Sequence, residues 1–124
     1  GTRFINTSES KADDGYREMI IKSRAEDIVY TAAVSGVNAN FLRPSLEAAG
    51  ITEEMWKNQK KMDLGNELDA AKEEAKAWKT IWSAGQGVTS IVDCPSVENL
   101  VSRLKTEFSK AIEKQMEISS KFLD

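Results

Sequence analysis

Apolar and polar positions follow several different rhythms along this chain, and each rhythm predicts an element. The longest lies at the C-terminal end. There Val97, Leu100, Val101, Leu104, Phe108, Ala111, Ile112, Gln115, Ser119 and Phe122 trace one stripe at spacings of three and four. Pro95 suits the first helical position ahead of it, so the pattern predicts a helix from Pro95 onward, with a stripe that needs a long partner surface. After Gly65 a second helical seam runs through Leu68, Ala71, Ala75, Trp78 and Trp82, with Asp69/Lys72 and Glu73/Lys76 on the solvated side. A third helix is predicted from a cap at Asp13 or Asp14 to Arg24, with Tyr16, Met19, Ile20 and Ser23 on one face.

The remaining segments are shorter. Ile28, Val29, Tyr30 and Thr31 are β-branched or aromatic, Ser35-Gly36 is a turn signal, and Val37 to Phe41 follows, which predicts a small hairpin that needs helices to pack on. Pro44 opens a two-turn helix that Gly50 closes. Thr52-Glu53-Glu54 caps and charges the start of another helix through Lys60 or Lys61, with Met55 and Trp56 as buried anchors. Asp63 to Asn66 is the nearest thing to a linker. Gly1 to Ile5 reads as the end of a strand, broken by the turn-forming run Asn6-Thr7-Ser8-Glu9-Ser10. The fold class is therefore mainly α, with a strand end at the N-terminus and a small hairpin.

Composition narrows the function classes. A chain of 124 residues with net charge −3 is one modest domain without the clustered Lys and Arg that nucleic acid or an anionic membrane requires. No apolar run approaches the length of a membrane helix and no signal peptide opens the chain, so a cytoplasmic protein is expected. A solitary Cys94 fits a reducing compartment, and without histidine no zinc-type ligand set is expected. The missing histidine also removes the commonest general base near neutral pH. The chain opens on Gly-Thr-Arg-Phe-Ile with no initiator Met, as a processed protein or a piece of a longer one would.

Candidate chemistry centres on Trp82-Ser83-Ala84-Gly85-Gln86-Gly87. Small residues let a backbone approach a flat ligand, so a ligand-facing loop is one reading, and a core tryptophan followed by helix-ending glycines is the other. Gly1-Thr2 could offer amides and a hydroxyl to a phosphate, or could bind nothing. Cys94 has no histidine partner, which points to helix capping or burial rather than nucleophilic chemistry. Glu53-Glu54 and Glu73-Glu74 are adjacent in sequence, diverge around a helix, and suit solvated faces.

Three stretches together, GTRFINTSE (1–9), NFLRPS (40–45) and AWKTIWSAGQGV (77–88), resemble the C-terminal third of the nitronate monooxygenase family, formerly 2-nitropropane dioxygenases. That family includes an FMN-dependent enoyl-acyl-carrier-protein reductase branch. The resemblance implies an FMN-binding (β/α)8 barrel. Residues 1–5 would end the last barrel strand, 6–79 would form an inserted, mostly helical substrate-side subdomain, 80–94 a loop facing flavin and substrate, and 95–124 the last barrel helix. It further implies that Gly1 and Thr2 contact the FMN phosphate, and that Trp82, Ser83, Ala84, Gly85 and Gln86 face flavin and substrate, with Ser83 bonding a nitro group. The implied reaction oxidises an alkyl nitronate with dioxygen to a carbonyl compound and nitrite, using a histidine base from an earlier part of the barrel. The partners are then the nitronate and the remainder of the barrel. Thr89-Ser90 stand where the family usually has an apolar pair. A free-standing helical module that docks on a partner through the 97–122 stripe is the reading from a different class.

Overall fold

The computed structural model describes residues 1–58 and 79–123. The helix expected after Gly65, apart from its last residues, lies outside them, as do Asp63 to Asn66 and Glu73-Glu74. In chain order the described elements are α1 (Thr2–Ile5), α2 (Asp14–Lys22), β1 (Ile28–Thr31), β2 (Ala39–Leu42), α3 (Arg43–Ala48), α4 (Glu53–Lys57) and α5 (Val97–Ser120), with 3-10 turns at Ala25–Asp27 and Gln86–Ser90.

The hairpin pairs antiparallel, with Ile28 opposite Leu42 and Thr31 opposite Ala39. β2 begins two residues later than the pattern suggests, because Val37 is 71% exposed and Gly36, at φ 79°, turns the chain there. The period of two places Val29 and Thr31 inward and Tyr30 outward. The Thr31 hydroxyl donates to the Trp56 carbonyl at 2.8 Å and accepts from the Ala33 amide at 3.1 Å, which fastens the hairpin to α4. α3 ends in a Schellman motif: Gly50 at φ 79° donates to Glu47 (2.9 Å) and Ile51 donates to Leu46 (2.9 Å). Both Leu46 and Ile51 then enter a core with Val29, Val34, Phe41, Trp56 and Ile81. Met55, expected inside, is 43% exposed, since the short helix can turn only one of two adjacent residues inward and the larger indole takes that place. A second core joins Ile20, Leu42, Ala84, Val88 and Ile91, flanked by Ile5, Tyr16, Met19, Ile28 and Trp82.

Three further expectations are corrected. Gly1 to Ile5 is a helical turn, not a strand end: Phe4 donates to the Gly1 carbonyl at 2.9 Å, and the hairpin strands pair only with each other among the described residues. The following Thr7 hydroxyl donates to the Phe4 carbonyl, closing that turn. Pro95 is not the first residue of α5, because Ser96 is the cap, its hydroxyl accepting from the Asn99 amide at 3.1 Å. Cys94 neither caps nor is buried; it is exposed.

The GTRFINTSE stretch grips the start of α5. Arg3 and Arg103 both pair with the Asp93 carboxylate, at 2.6 and 2.7 Å, and the Ser8 amide donates to the Pro95 carbonyl at 3.0 Å. Glu9 accepts the Val97 amide with both carboxylate oxygens at 3.0 Å, a second cap on the same helix end. Beyond Leu100, which is 1% exposed, the stripe on α5 is open: Leu104 is 43%, Phe108 69% and Phe122 82% exposed. No helix among the described residues is long and apolar enough to cross a membrane.

Two stability predictions follow from these contacts. Hydrogen bonds from Arg103 and then Arg3 lower the Asp93 pKa from 3.8 to about 2. A depressed carboxylate pKa contributes stability that is complete above the unfolded value, near pH 4, and lost as pH falls toward 2. Because these side chains are partly exposed and screened, Asp93→Asn is expected to cost at most about 1 kcal/mol at pH 7. Its urea midpoint should also respond less than wild type to acidification from pH 4 to 2. Ser45 is fully buried, and its hydroxyl accepts from the Trp82 amide at 3.0 Å. Ser45→Ala orphans that amide and should cost about 1–3 kcal/mol in the same unfolding measurement.

Candidate functional site

The segment after Thr80 is held in place backbone first. The Leu42 amide donates to the Trp82 carbonyl at 2.8 Å, and the Ser45 hydroxyl, which donates to the Leu42 carbonyl at 2.7 Å, accepts from the Trp82 amide. One buried side chain thus docks the loop on the end of β2 and the start of α3. The Trp82 indole, half-buried, stacks on Tyr16 of α2 with ring centroids 5.1 Å apart and 11° between planes, and its Nε1 donates to the Lys79 carbonyl at 3.1 Å. Gly15 makes this approach possible, because a Cβ there would meet Trp82 Cη2 at 3.1 Å.

Next along the loop, the Tyr16 hydroxyl donates to the Ser83 carbonyl. Burial pushes the Tyr16 pKa up, so the phenol keeps its proton and remains a donor at ordinary pH. Ala84 is buried in the second core, and the Gly85 amide donates to Thr2 Oγ1 at 2.8 Å. Gly85 sits at φ −84°, which any residue can adopt, so its constraint is space: a Cβ would stand 3.3 Å from that same oxygen.

Between the first helical turn and this loop lies an open concavity of about 440 Å³, lined by Gly1, Thr2, Ile5, Tyr16, Ala39, Asn40, Ser83, Ala84 and Gly85. Five of the residues singled out in the sequence, Gly1, Thr2, Ser83, Ala84 and Gly85, therefore meet on one surface although the two groups lie about eighty positions apart. Trp82 and Gln86 are not in that lining: Trp82 turns back onto Tyr16, and Gln86 is exposed at the start of the 3-10 turn. Ile5, Tyr16, Ala39 and Asn40 join them with no expectation from the sequence as site residues. The available signal was Gly15-Tyr16 inside a helical pattern, a small residue beside an aromatic whose hydroxyl needs a partner.

Electrostatically the lining is neutral. Among the described residues no Lys, Arg, Asp or Glu side chain lines the concavity, the nearby Arg3 is engaged by Asp93, and no group of metal-ligating side chains exists. Small apolar walls with amides and hydroxyls at their edge fit an uncharged ring system, and no fixed negative charge opposes a phosphate held by backbone donors. The Thr89-Ser90 departure is locally satisfied: Thr89 Oγ1 accepts from the Ala25 amide at 2.8 Å, joining the two 3-10 turns, and the Ser90 hydroxyl donates to the Gly87 carbonyl at 2.9 Å.

Comparison with known proteins bears on what this surface serves. A family model described as nitronate monooxygenase matches residues 1–107. A curated nitronate monooxygenase of Paraburkholderia phytofirmans is 32% identical over 121 residues, covering 91% of this chain and 32% of its own length. The chain thus spans about a third of that relative. Among solved structures, FabK from Thermotoga maritima is similar with a TM-score of 0.66 and 25% identity, covering 94% of this chain and 38% of FabK. A mutant of the same FabK gives a TM-score of 0.65 at 24% identity, over 94% of this chain and 35% of the mutant chain. FabK is a TIM-barrel enzyme, and the likeness is that of a segment of such a barrel.

The Thr2–Gly85 contact predicts a specific non-additivity. Gly85→Ala should destabilise by about 1 kcal/mol through crowding of Thr2 Oγ1, and Thr2→Ala by a similar amount through the lost acceptor. Combined, the two should cost less than their sum by about 0.5–1 kcal/mol, since Thr2→Ala removes the oxygen that Gly85→Ala crowds. Urea unfolding of the four proteins measures this, and strict additivity would show that the two residues are not in contact.

Proposed function

The chain belongs to the nitronate monooxygenase family, and on that footing we propose that it supplies one wall of the flavin and substrate site of an FMN-dependent enzyme that oxidises alkyl nitronates. The observation that carries this reading is the convergence of two remote motifs, Gly1-Thr2 and Ser83-Ala84-Gly85, on one neutral concavity through the Thr2–Gly85 hydrogen bond. In this reading 1–5 and 80–94 face the cofactor, 6–79 covers it, and 95–124 braces the barrel with the stripe that α5 leaves exposed.

Bound FMN supplies the electron acceptor that the oxidation needs, with dioxygen as the final oxidant. The roles of this chain's residues follow from their placement. Gly1 and Thr2 stand at the rim where a backbone donor could meet a phosphate, and a Cβ on Gly1 would find open space, so ligand atoms can approach closely. Ser83 is exposed at the concavity, where its hydroxyl is a neutral donor for a nitro oxygen. Ala84 and Gly85 keep the loop thin, so that ring and substrate come near its backbone. On this wall a nitronate would meet hydrogen-bond donors and no charged side chain among the described residues. Tyr16, which keeps its proton, is no base, and with no histidine in the chain the proton acceptor must come from the rest of the barrel.

The test uses the full-length enzyme. Ser83→Ala should raise KM for a small alkyl nitronate about three- to tenfold, the net worth of one hydrogen bond, while the flavin spectrum and content stay as in wild type. Unchanged kinetics would remove Ser83 from the site. Nitrite release from the nitronate, set against oxidation of reduced nicotinamide with an enoyl thioester, decides between this reaction and that of the reductase branch.

A further inference from the structure

Ser83 lies on an irregular segment and is itself exposed, so something else must aim its hydroxyl. Its neighbours are held by backbone contacts, Trp82 through Leu42 and Ser45, and Gly85 through Thr2. Between these two anchors the Ser83 carbonyl accepts the Tyr16 hydroxyl, which ties the Ser83 main chain, and so the point from which its side chain leaves, to α2.

We propose that Tyr16 is the positioning residue for Ser83: its hydroxyl, donating to the Ser83 carbonyl, holds the stretch of backbone that presents the serine hydroxyl to substrate. This rests on the reading of Ser83 as a substrate contact. The phenol is well placed to act as a stop. Its ring is clamped against Trp82 at 5.1 Å and nearly parallel, it is carried by a nine-residue helix rather than a loop, and it borders the same concavity as Ser83. Gly15 leaves room for the stack, since a Cβ there would crowd Trp82 Cη2 at 3.1 Å. The loop is thus indexed from α2, an element 67 positions away in the chain. Tyr16→Phe keeps the stack and deletes only the donor, which isolates the function.

The experiment is a double-mutant cycle in the full-length flavoprotein: wild type, Tyr16→Phe, Ser83→Ala and the pair. Kinetics are read with a small alkyl nitronate, or with the enoyl thioester if wild type turns over that instead. Tyr16→Phe should raise KM about three- to tenfold with kcat within about twofold. It should have no further effect in the Ser83→Ala background, because no hydroxyl is left to aim. Amide hydrogen exchange at Ala84 and Gly85 should accelerate several-fold in Tyr16→Phe, a readout independent of turnover. Additive KM effects, or exchange rates equal to wild type, overturn the positioning role while leaving Ser83 as a contact. A wild type that turns over neither substrate overturns the reading of the site, and the positioning role with it.

Discussion

The fold of the candidate site depends on one buried hydroxyl. Ser45 is wholly enclosed at the first turn of α3, where it donates to the carbonyl that ends β2 and accepts the amide of Trp82. Leu42 and Leu46, on either side of it, belong to different cores, so the serine sits on the seam between them. A polar group in such a place is tolerable only when its hydrogen bonds are made, and here they determine where the loop must run. The hairpin, α3 and the Trp82–Gly85 segment consequently share a single junction.

A second constraint joins the beginning of the chain to α5. The residues of GTRFINTSE act less as a ligand loop than as a buckle. Arg3 engages the Asp93 carboxylate, the Asn6 amide reaches the Arg17 carbonyl at 3.2 Å, Ser8 holds Pro95, and Glu9 caps Val97. Only Gly1, Thr2 and Ile5 of that stretch look into the concavity. Most of this stretch thus serves to pin 93–97.

Where local chemistry decides structure, the sequence was legible. The hairpin partners, the Pro44–Gly50 helix and the amphipathic helix after Asp13 all carry their own caps, turns or periodicity. The failures have a common cause in contacts that periodicity does not encode. Gly1 to Ile5 has β-prone residues, yet with no strand beside it among the described residues the chain closes its own carbonyls in a helical turn. Met55 and Trp56 looked equivalent until a short helix had to choose between them. At the site, the loop and Gly1-Thr2 were recognisable from small residues and family likeness, whereas Tyr16 read as an ordinary core aromatic. Its hydroxyl finds Ser83 only through the tertiary approach of α2, which Gly15 permits and no local pattern announces.

The concavity has walls from four separated stretches, residues 1–5, Tyr16, Ala39-Asn40 and 83–85. Its two bridging hydrogen bonds close loops of 83 and 67 positions. Loop closure of that size carries an entropic cost that no short segment can meet by itself. The surface forms only once residues 1–5 and 83–85 have met, so a small molecule bound there would add its binding free energy to the contacts that close those loops.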